Sequence, residues 1–191
     1  MVIETYRKIM LDGKRIYLRR FQVTDAPVLL KWGQNHRYHI LAGFEVFNNL
    51  QEAKKGAQEY ANRKNSFALC LKENNQLIGL VELYERGLDE ASLLKTKEIG
   101  FMLEQDFEGH GYMTEALKLV LHDAFEQMGQ TEIWAGTFDT NFHSQELLER
   151  IGFKYVYTTD YAQISNLFSY KEKYYLLKKE EWLKMVSNTK S

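Results

Sequence analysis

Residues 97–129 constrain this chain more than any other stretch. Lys97–Leu103 reads as a strand, and Met113, Ala116, Leu117, Val120, Leu121, Ala124, Phe125 and Met128 then recur at three- and four-residue steps. That period lines up the apolar side chains on one face of a long helix, which must be buried against other structure. Gly129 suits the helix end, where a left-handed residue is favoured. Gly109 and Gly111 fall in the short loop that leads from strand to helix. A helix N-terminus presents unpaired N–H groups and a partial positive charge, and glycines let an anion approach that backbone. The same two glycines also suit a plain tight turn. The common nucleotide loops do not fit: Thr114 stands where a dinucleotide fold wants its third glycine, and no Gly-Lys-Ser/Thr ending is present.

Elsewhere strand-like and helix-like patterns alternate. Arg15–Phe21 reads as a strand, followed by a helix capped by Thr24-Asp25, with Pro27 early and an end near Gln34-Asn35. Leu50, Ala53, Ala57, Tyr60 and Ala61 give a second helix with one apolar face. Ser66–Lys72 and Gln76–Tyr84 read as a hairpin turning at Asn74-Asn75, and Arg86–Leu94 as a loop. Ile133–Phe138 is a strand, Asn141–Ile151 a helix stopped by Gly152, and Phe153–Thr158 and Tyr174–Lys178 are closing strands. A last helix carries Trp182, and Ser187–Ser191 reads as a frayed tail. The pattern predicts an α/β (α+β) fold with a mixed sheet of about seven strands and helices on both faces.

Composition narrows the class. With 191 residues, no linker and no repeat, residues 1–191 read as one domain. A hydrophobic fraction of 45% excludes a disordered chain. Lys+Arg 25 against Asp+Glu 26 gives a net charge of −1, which argues against nucleic acid as the main partner. No apolar run is long enough to span a bilayer, and charges at the N-terminus break any secretory signal. The single cysteine, Cys70, lies in an apolar run and reads as a core residue. These features predict a cytoplasmic protein without a membrane partner. His36 and His39 lack companion ligands, so no metal site is expected.

The string Gly109, Gly111, Tyr112, Thr114, Glu115, Ala116 resembles motif A of the GNAT acetyltransferases. Asn141-Phe142-His143-Ser144 followed by Leu148, Gly152 and Phe153 resembles that family's second hallmark. With Leu18-Arg19-Arg20 and Thr24-Asp25-Ala26, the resemblance is closest to the ribosomal-protein N-terminal acetyltransferase (RimJ/RimL-like) branch and covers residues from about 15 to 179. It departs at Glu108, an acid beside the glycines, and at Met113, where a small residue is usual.

The resemblance implies acetyl-CoA as cofactor, an amine acceptor, and a sheet splayed at a bulge where pantetheine lies. Carried over by position, backbone groups of Phe101, Met102 and Leu103 would meet pantetheine and the thioester. The loop Glu108, Gly109, His110, Gly111, Tyr112 and Met113 would hold the pyrophosphate, with His110 also able to donate from its ring. Asn141 would contact the pantetheine arm, and Ser144 would lie near the sulfur. The position of the family's tyrosine acid is Leu148 here, which makes Ser144 the candidate to meet the leaving thiolate.

Glu98 is the first candidate base, by strand alternation with Gly100 and Met102, and Glu82 the second. An α-amine with pKa about 7.7–8.0 is already roughly a tenth neutral at pH 7, whereas a lysine needs about 4–5 kcal/mol to deprotonate. A weak carboxylate base therefore favours a protein N-terminal amine over an ε-amine. A small-molecule amine such as a polyamine or aminoglycoside is the alternative acceptor, and a non-catalytic acyl-CoA-binding protein the alternative function. Tyr170, Tyr174 and Tyr175 read as strand packing, with an acceptor channel as the other reading. Edge strands and exposed aromatics leave room for a homodimer.

Overall fold

The computed structural model describes residues 11–87, 95–163 and 169–188. Strands β1 (Leu11–Asp12) and β2 (Ile16–Arg19) lead to helices α1 (Ala26–Gly33), α2 (His36–Ala42) and α3 (Leu50–Asn62). Strands β3 (Ser66–Leu71), β4 (Leu77–Glu85) and β5 (Thr96–Leu103) precede α4 (Tyr112–His122). Then come β6 (Glu132–Phe138), α5 (Phe142–Ile151), β7 (Lys154–Asp160), β8 (Lys171–Lys178) and α6 (Lys179–Asn188). Among the described residues the sheet has eight strands in the order β1-β2-β3-β4-β5-β6-β8-β7. Neighbours are antiparallel except β5 and β6, which run parallel.

The mixed sheet with helices on both faces matches the sequence reading. Two elements were not legible. β1 is only two residues long, and it raises the strand count above seven. α2 is a single short helix with a left-handed Gly43 at its end and Asn35 accepting the Arg37 N–H at its start. The helix expected to run to Met128 is α-helical to His122 and continues as a π-turn over Asp123–Gln127. Asp25 does not cap α1 with its side chain. It accepts from the Gln22 N–H and from both Arg19 guanidinium nitrogens, each at 2.8 Å, and so ties β2 to the turn. Residues 88–94 of the expected loop and 189–191 of the expected tail lie outside the described residues.

Strand alternation splits the core in two. Phe67, Leu69 and Leu71 of β3 face the cluster under α4, α5 and α6, while Ala68 and Cys70 face the cluster under α1–α3. Cys70 is fully buried there, as read, and burial pushes its thiol pKa up. The second cluster reaches across the sheet only to Met102 of β5. Beyond it, on the same face, Trp134, Phe138, Tyr157 and Tyr170 stay partly exposed. Among the described residues no helix is long and apolar enough to cross a membrane.

Candidate active site

The site begins where one strand pair ends. β5 pairs with β6 only over Thr96↔Glu132, Lys97↔Ile133 and Glu98↔Trp134. After Glu98, β5 continues along β4 to Leu103↔Gly79, whereas β6 continues along β8 to Phe138↔Glu172. The two strands therefore part, leaving the β6-facing backbone groups of Ile99–Leu103 without a strand partner. The β4–β5 register runs without a shift, so the splay needs no bulge in β5. Among the described residues the register shifts where Leu69↔Gly79 gives way to Cys70↔Leu77, with Ile78 of β4 as the extra residue, and between Tyr155 and Tyr157 of β7.

The gap opens into a cleft of about 440 Å³. One wall is β5, through Phe101, Met102 and Leu103, and the opposite wall is the start of α5, with Asn141 and Ser144. The loop before α4 closes one end with Glu108, Gly109 and Gly111. Gly109 (φ 77°) and Gly111 (φ 79°) both adopt left-handed backbone, which explains glycine at both positions. A Cβ on Gly109 would meet nothing within 4 Å, so conformation rather than crowding selects it. The first N–H groups of α4 have no partner inside the helix, and the dipole adds positive charge there.

The loop is clamped from outside. Arg15 donates from its backbone and Nε to the two Glu115 oxygens, at 2.8 and 3.0 Å, and from Nη1 to the His110 carbonyl at 2.8 Å. Its guanidinium also lies 4.8 Å from the Tyr112 ring centre. Glu115, present in the sequence motif, is thus the anchor that ties the loop to the turn between β1 and β2. His110 and Tyr112 stack together on this outer side, and neither side chain lines the cleft. Met113 is buried in the core between α4 and the sheet while also touching the cleft.

Helix α2 supplies a wall that the sequence reading lacked: Arg37, Tyr38, Leu41 and Ala42. Arg37 binds Glu108 through both ends of its guanidinium, which compensates the acid that stands out in the loop sequence. The Tyr38 hydroxyl accepts the Gln105 N–H at 2.9 Å, and burial raises its pKa. The signals for α2 were its caps, Asn35 and Gly43, around seven residues of mixed polarity.

Asn141 is the N-cap of α5. Its Oδ1 accepts the Ser144 N–H at 3.2 Å and its Nδ2 donates to the Leu41 carbonyl at 3.1 Å, so it also joins α5 to α2. Leu148 is fully buried in the core, one turn below Ser144 and out of the cleft. Glu98 stands at the closed end of the gap, paired with Arg86. A Cβ built on Gly136 would lie 3.1 Å from the Tyr174 ring and 3.2 Å from Glu98 Oε1, so these two side chains already cover that glycine, and Glu98 is not among the residues that line the cleft. Glu82 is 3% exposed and held by Arg63 at 3.1 Å and by the Tyr84 hydroxyl. Of the three tyrosines considered for a channel, Tyr175 faces the core under the helices, and Tyr174 faces the opposite side.

Comparison with known proteins places this arrangement. Residues 15–154 match the family model described as an acetyltransferase (GNAT) domain. The chain is 33% identical over 155 residues to "Probable N-acetyltransferase YjcK" of Bacillus subtilis (strain 168), a match covering 75% of this chain and 83% of that protein. Its fold superposes on a GNAT-family acetyltransferase from Bacillus anthracis with TM-score 0.78 at 20% identity, over 91% and 100% of the two chains. The ribosomal-protein-S5-alanine acetyltransferase from Vibrio fischeri superposes with TM-score 0.71 at 16% identity, over 91% and 98%.

Proposed function

Because the chain belongs to the GNAT acetyltransferase family, we propose that it moves an acetyl group from acetyl-CoA directly to a primary amine, with a protein or peptide α-amine as the favoured acceptor. The observation that carries this reading is the parting of β5 from β6 after Glu98, with the glycine loop at the far end of the resulting cleft. The residues present suit coenzyme A: open strand backbone for an extended amide-bearing arm, and helix N–H groups for a pyrophosphate. The proposal extends to residues 1–191 as one such domain, of which residues 15–154 match the family model.

Acetyl-CoA, when bound, supplies a thioester already activated toward amines. Backbone from Gly109 to Met113 would hold the pyrophosphate, with Arg37 and Glu108 at its side. Backbone of Phe101, Met102 and Leu103 would align the pantetheine arm, with Asn141 opposite. As the C–N bond forms and the C–S bond breaks, the nitrogen must lose a proton and the sulfur must gain one. Glu98, where β5 and β6 part, is the proposed acceptor of the first. The Ser144 hydroxyl is the proposed hydrogen-bond donor to the departing sulfur. Among the described residues the cleft wall offers two carboxylates and one imidazole, Glu108, Glu146 and His143, as bases, a set that suits an α-amine better than a lysine side chain. The likeness to ribosomal-protein acetyltransferases in fold is compatible with a protein N-terminus, the finer reading offered here.

Calorimetric titration of the purified protein with acetyl-CoA, with ADP as control, tests the cofactor. Micromolar binding of acetyl-CoA that is lost in Gly111→Trp supports it, and a folded protein that binds neither refutes it. Thiol release with a peptide α-amine against its Nε-free, α-blocked counterpart then tests the acceptor. Tight acetyl-CoA binding without thiol release on any amine would instead favour a non-catalytic acyl-CoA-binding protein, a reading that the buried Leu148 motivates.

A further inference from the structure

The sheet face that α1–α3 leave uncovered carries a built cage for a cation. Tyr157 of β7 stacks on Tyr174 of β8 with ring centres 4.9 Å apart, and Trp134 of β6 lies 6.1 Å from Tyr157. Glu98 of β5 closes the remaining side. The Arg86 guanidinium sits inside, 4.5 Å from the Trp134 ring centre and 5.0 Å from that of Tyr174. Its Nη2 donates to the Tyr157 hydroxyl at 2.9 Å, and its Nη1 donates to Glu98 Oε2. Ring faces, a carboxylate and a phenol oxygen are the groups that recognise a guanidinium or an ammonium. The Tyr174 hydroxyl donates to Glu172 at 2.7 Å, so a second carboxylate braces the cage from behind.

Arg86 is carried on backbone that the sheet does not hold. β4 pairs with β5 as far as Glu85↔Lys97, and Arg86 follows that last pair. Its side chain is 24% exposed, and it can swing out without breaking a ladder hydrogen bond. The cage also adjoins the reaction site. Glu98 and Trp134 are the last paired residues before β5 and β6 part. Glu98 therefore gives Oε2 to the cage, while its Oε1 packs over Gly136 of β6 at that parting point.

We propose that this cage is the acceptor-recognition subsite, that Arg86 is its resident occupant, and that it takes in exchange a guanidinium or ammonium group which the acceptor carries beside its reacting amine. Swapping one cation for another leaves the charge balance around Glu98 unchanged, so the exchange leaves no carboxylate unpaired. The acceptor class that follows is an amine with a second cationic group within one side-chain length. A free amino-guanidine or diamine and an N-terminal residue with a basic side chain share that chemistry. The inference rests on the acetyltransferase reading for the reacting amine, but the cage can be tested without cofactor.

The first arm titrates methylguanidinium chloride, against sodium chloride at equal ionic strength, and follows the indole N–H resonance that Trp134→Phe removes. In Arg86→Ala, a saturable shift is expected at concentrations about tenfold lower than in the parent, where the tethered guanidinium competes at millimolar effective concentration. Adding Glu98→Gln should weaken that binding about fivefold or more. An Arg86→Ala protein that melts like the parent yet shows no saturable shift overturns the proposal. The second arm compares coenzyme A release with agmatine against butylamine, and with argininamide against leucinamide. A preference of about tenfold or more in kcat/KM for the guanidinium-bearing member supports it, and the pair that shows it identifies the source. Equal rates within both pairs overturn it. Failure of the parent to bind acetyl-CoA would sink the acetyltransferase reading instead, and the methylguanidinium titration would still decide the cage.

Discussion

Arg37 holds Glu108 with both ends of its guanidinium, Nη1 to Oε1 at 2.8 Å and Nη2 to Oε2 at 3.0 Å, across the mouth of the cleft. The pair joins α2 to the glycine loop and neutralises the acid beside the helix N-terminus. Both side chains are about a third exposed, so the pair adds little to stability, of order 1 kcal/mol or less. Its effect should fall on the cofactor. Arg37→Ala should weaken acetyl-CoA binding about tenfold by leaving Glu108 uncompensated, whereas Glu108→Gln should strengthen it and steepen its salt dependence. Calorimetry at two salt concentrations checks both signs.

Gly111 enters α4 with φ 79°. Gly111→Ala should cost about 1–2 kcal/mol, since an L side chain is strained in that region. Acetyl-CoA affinity should fall as the loop relaxes. Gly33→Ala, in a helix with ordinary φ, makes a poor control because its Cβ would meet Phe47 at 2.7 Å. Gly43→Ala is better: its Cβ meets nothing within 4 Å, yet its φ of 60° imposes the same kind of strain outside the loop. Equal loss of stability but unequal loss of cofactor affinity would separate the two effects, and thermal melts with titration measure both.

Asn141 has two jobs that substitutions can separate. Asn141→Ala should lose about 1 kcal/mol through the missing cap on α5. Asn141→Asp keeps the capping oxygen for the Ser144 N–H but cannot donate to the Leu41 carbonyl. It should be near normal in helix stability while KM for acetyl-CoA rises. Chemical denaturation and initial-rate kinetics on the two variants distinguish the roles.

Ser144→Ala should lower kcat while leaving acetyl-CoA affinity nearly unchanged, the pattern of a contact made to the departing sulfur. Leu148→Tyr should not restore activity. Leu148 is fully buried, so the larger ring overpacks the core by about 1–3 kcal/mol and leaves a hydroxyl in apolar surroundings. Kinetics and a melting curve on each variant decide.

Burial pushes the Glu115 carboxyl up, but the backbone and side-chain donors of Arg15 outweigh it and hold its pKa below the ordinary value. A depressed carboxylate stabilises the fold above its unfolded pKa, about 4.3, and that stability is lost as pH falls through the lower folded value. Glu115→Gln should therefore lower the melting temperature at pH 7. The difference from the parent should shrink as the pH drops below about 4. Calorimetric melts across that range test the sign.

The sequence made the glycine loop, the long helix and the Asn141 hallmark legible because each depends on local chemistry: positive φ, a 3.6-residue period, a cap. Glu115 could be recognised as part of a motif, but its partner Arg15 lies one hundred residues away and no local pattern names it. Arg37 was hidden for the same reason, compounded by the brevity of α2. The cage at Arg86 was hidden too, since Trp134, Tyr157 and Tyr174 come from strands whose spatial order, β6-β8-β7, differs from their chain order. A leucine at 148 has no proton to donate, which the sequence shows, but only its burial shows that the position belongs to the core.

Helix α2 touches both lips of the cleft: Arg37 and Tyr38 reach the loop side, and the Leu41 carbonyl takes the Asn141 side chain on the other. In mechanical language it is a tie-beam across an opening that the sheet itself cannot close, because β5 and β6 have already parted beneath it. Load on either lip is shared by seven residues of helix, so the width of the opening is set by a member that belongs to neither strand.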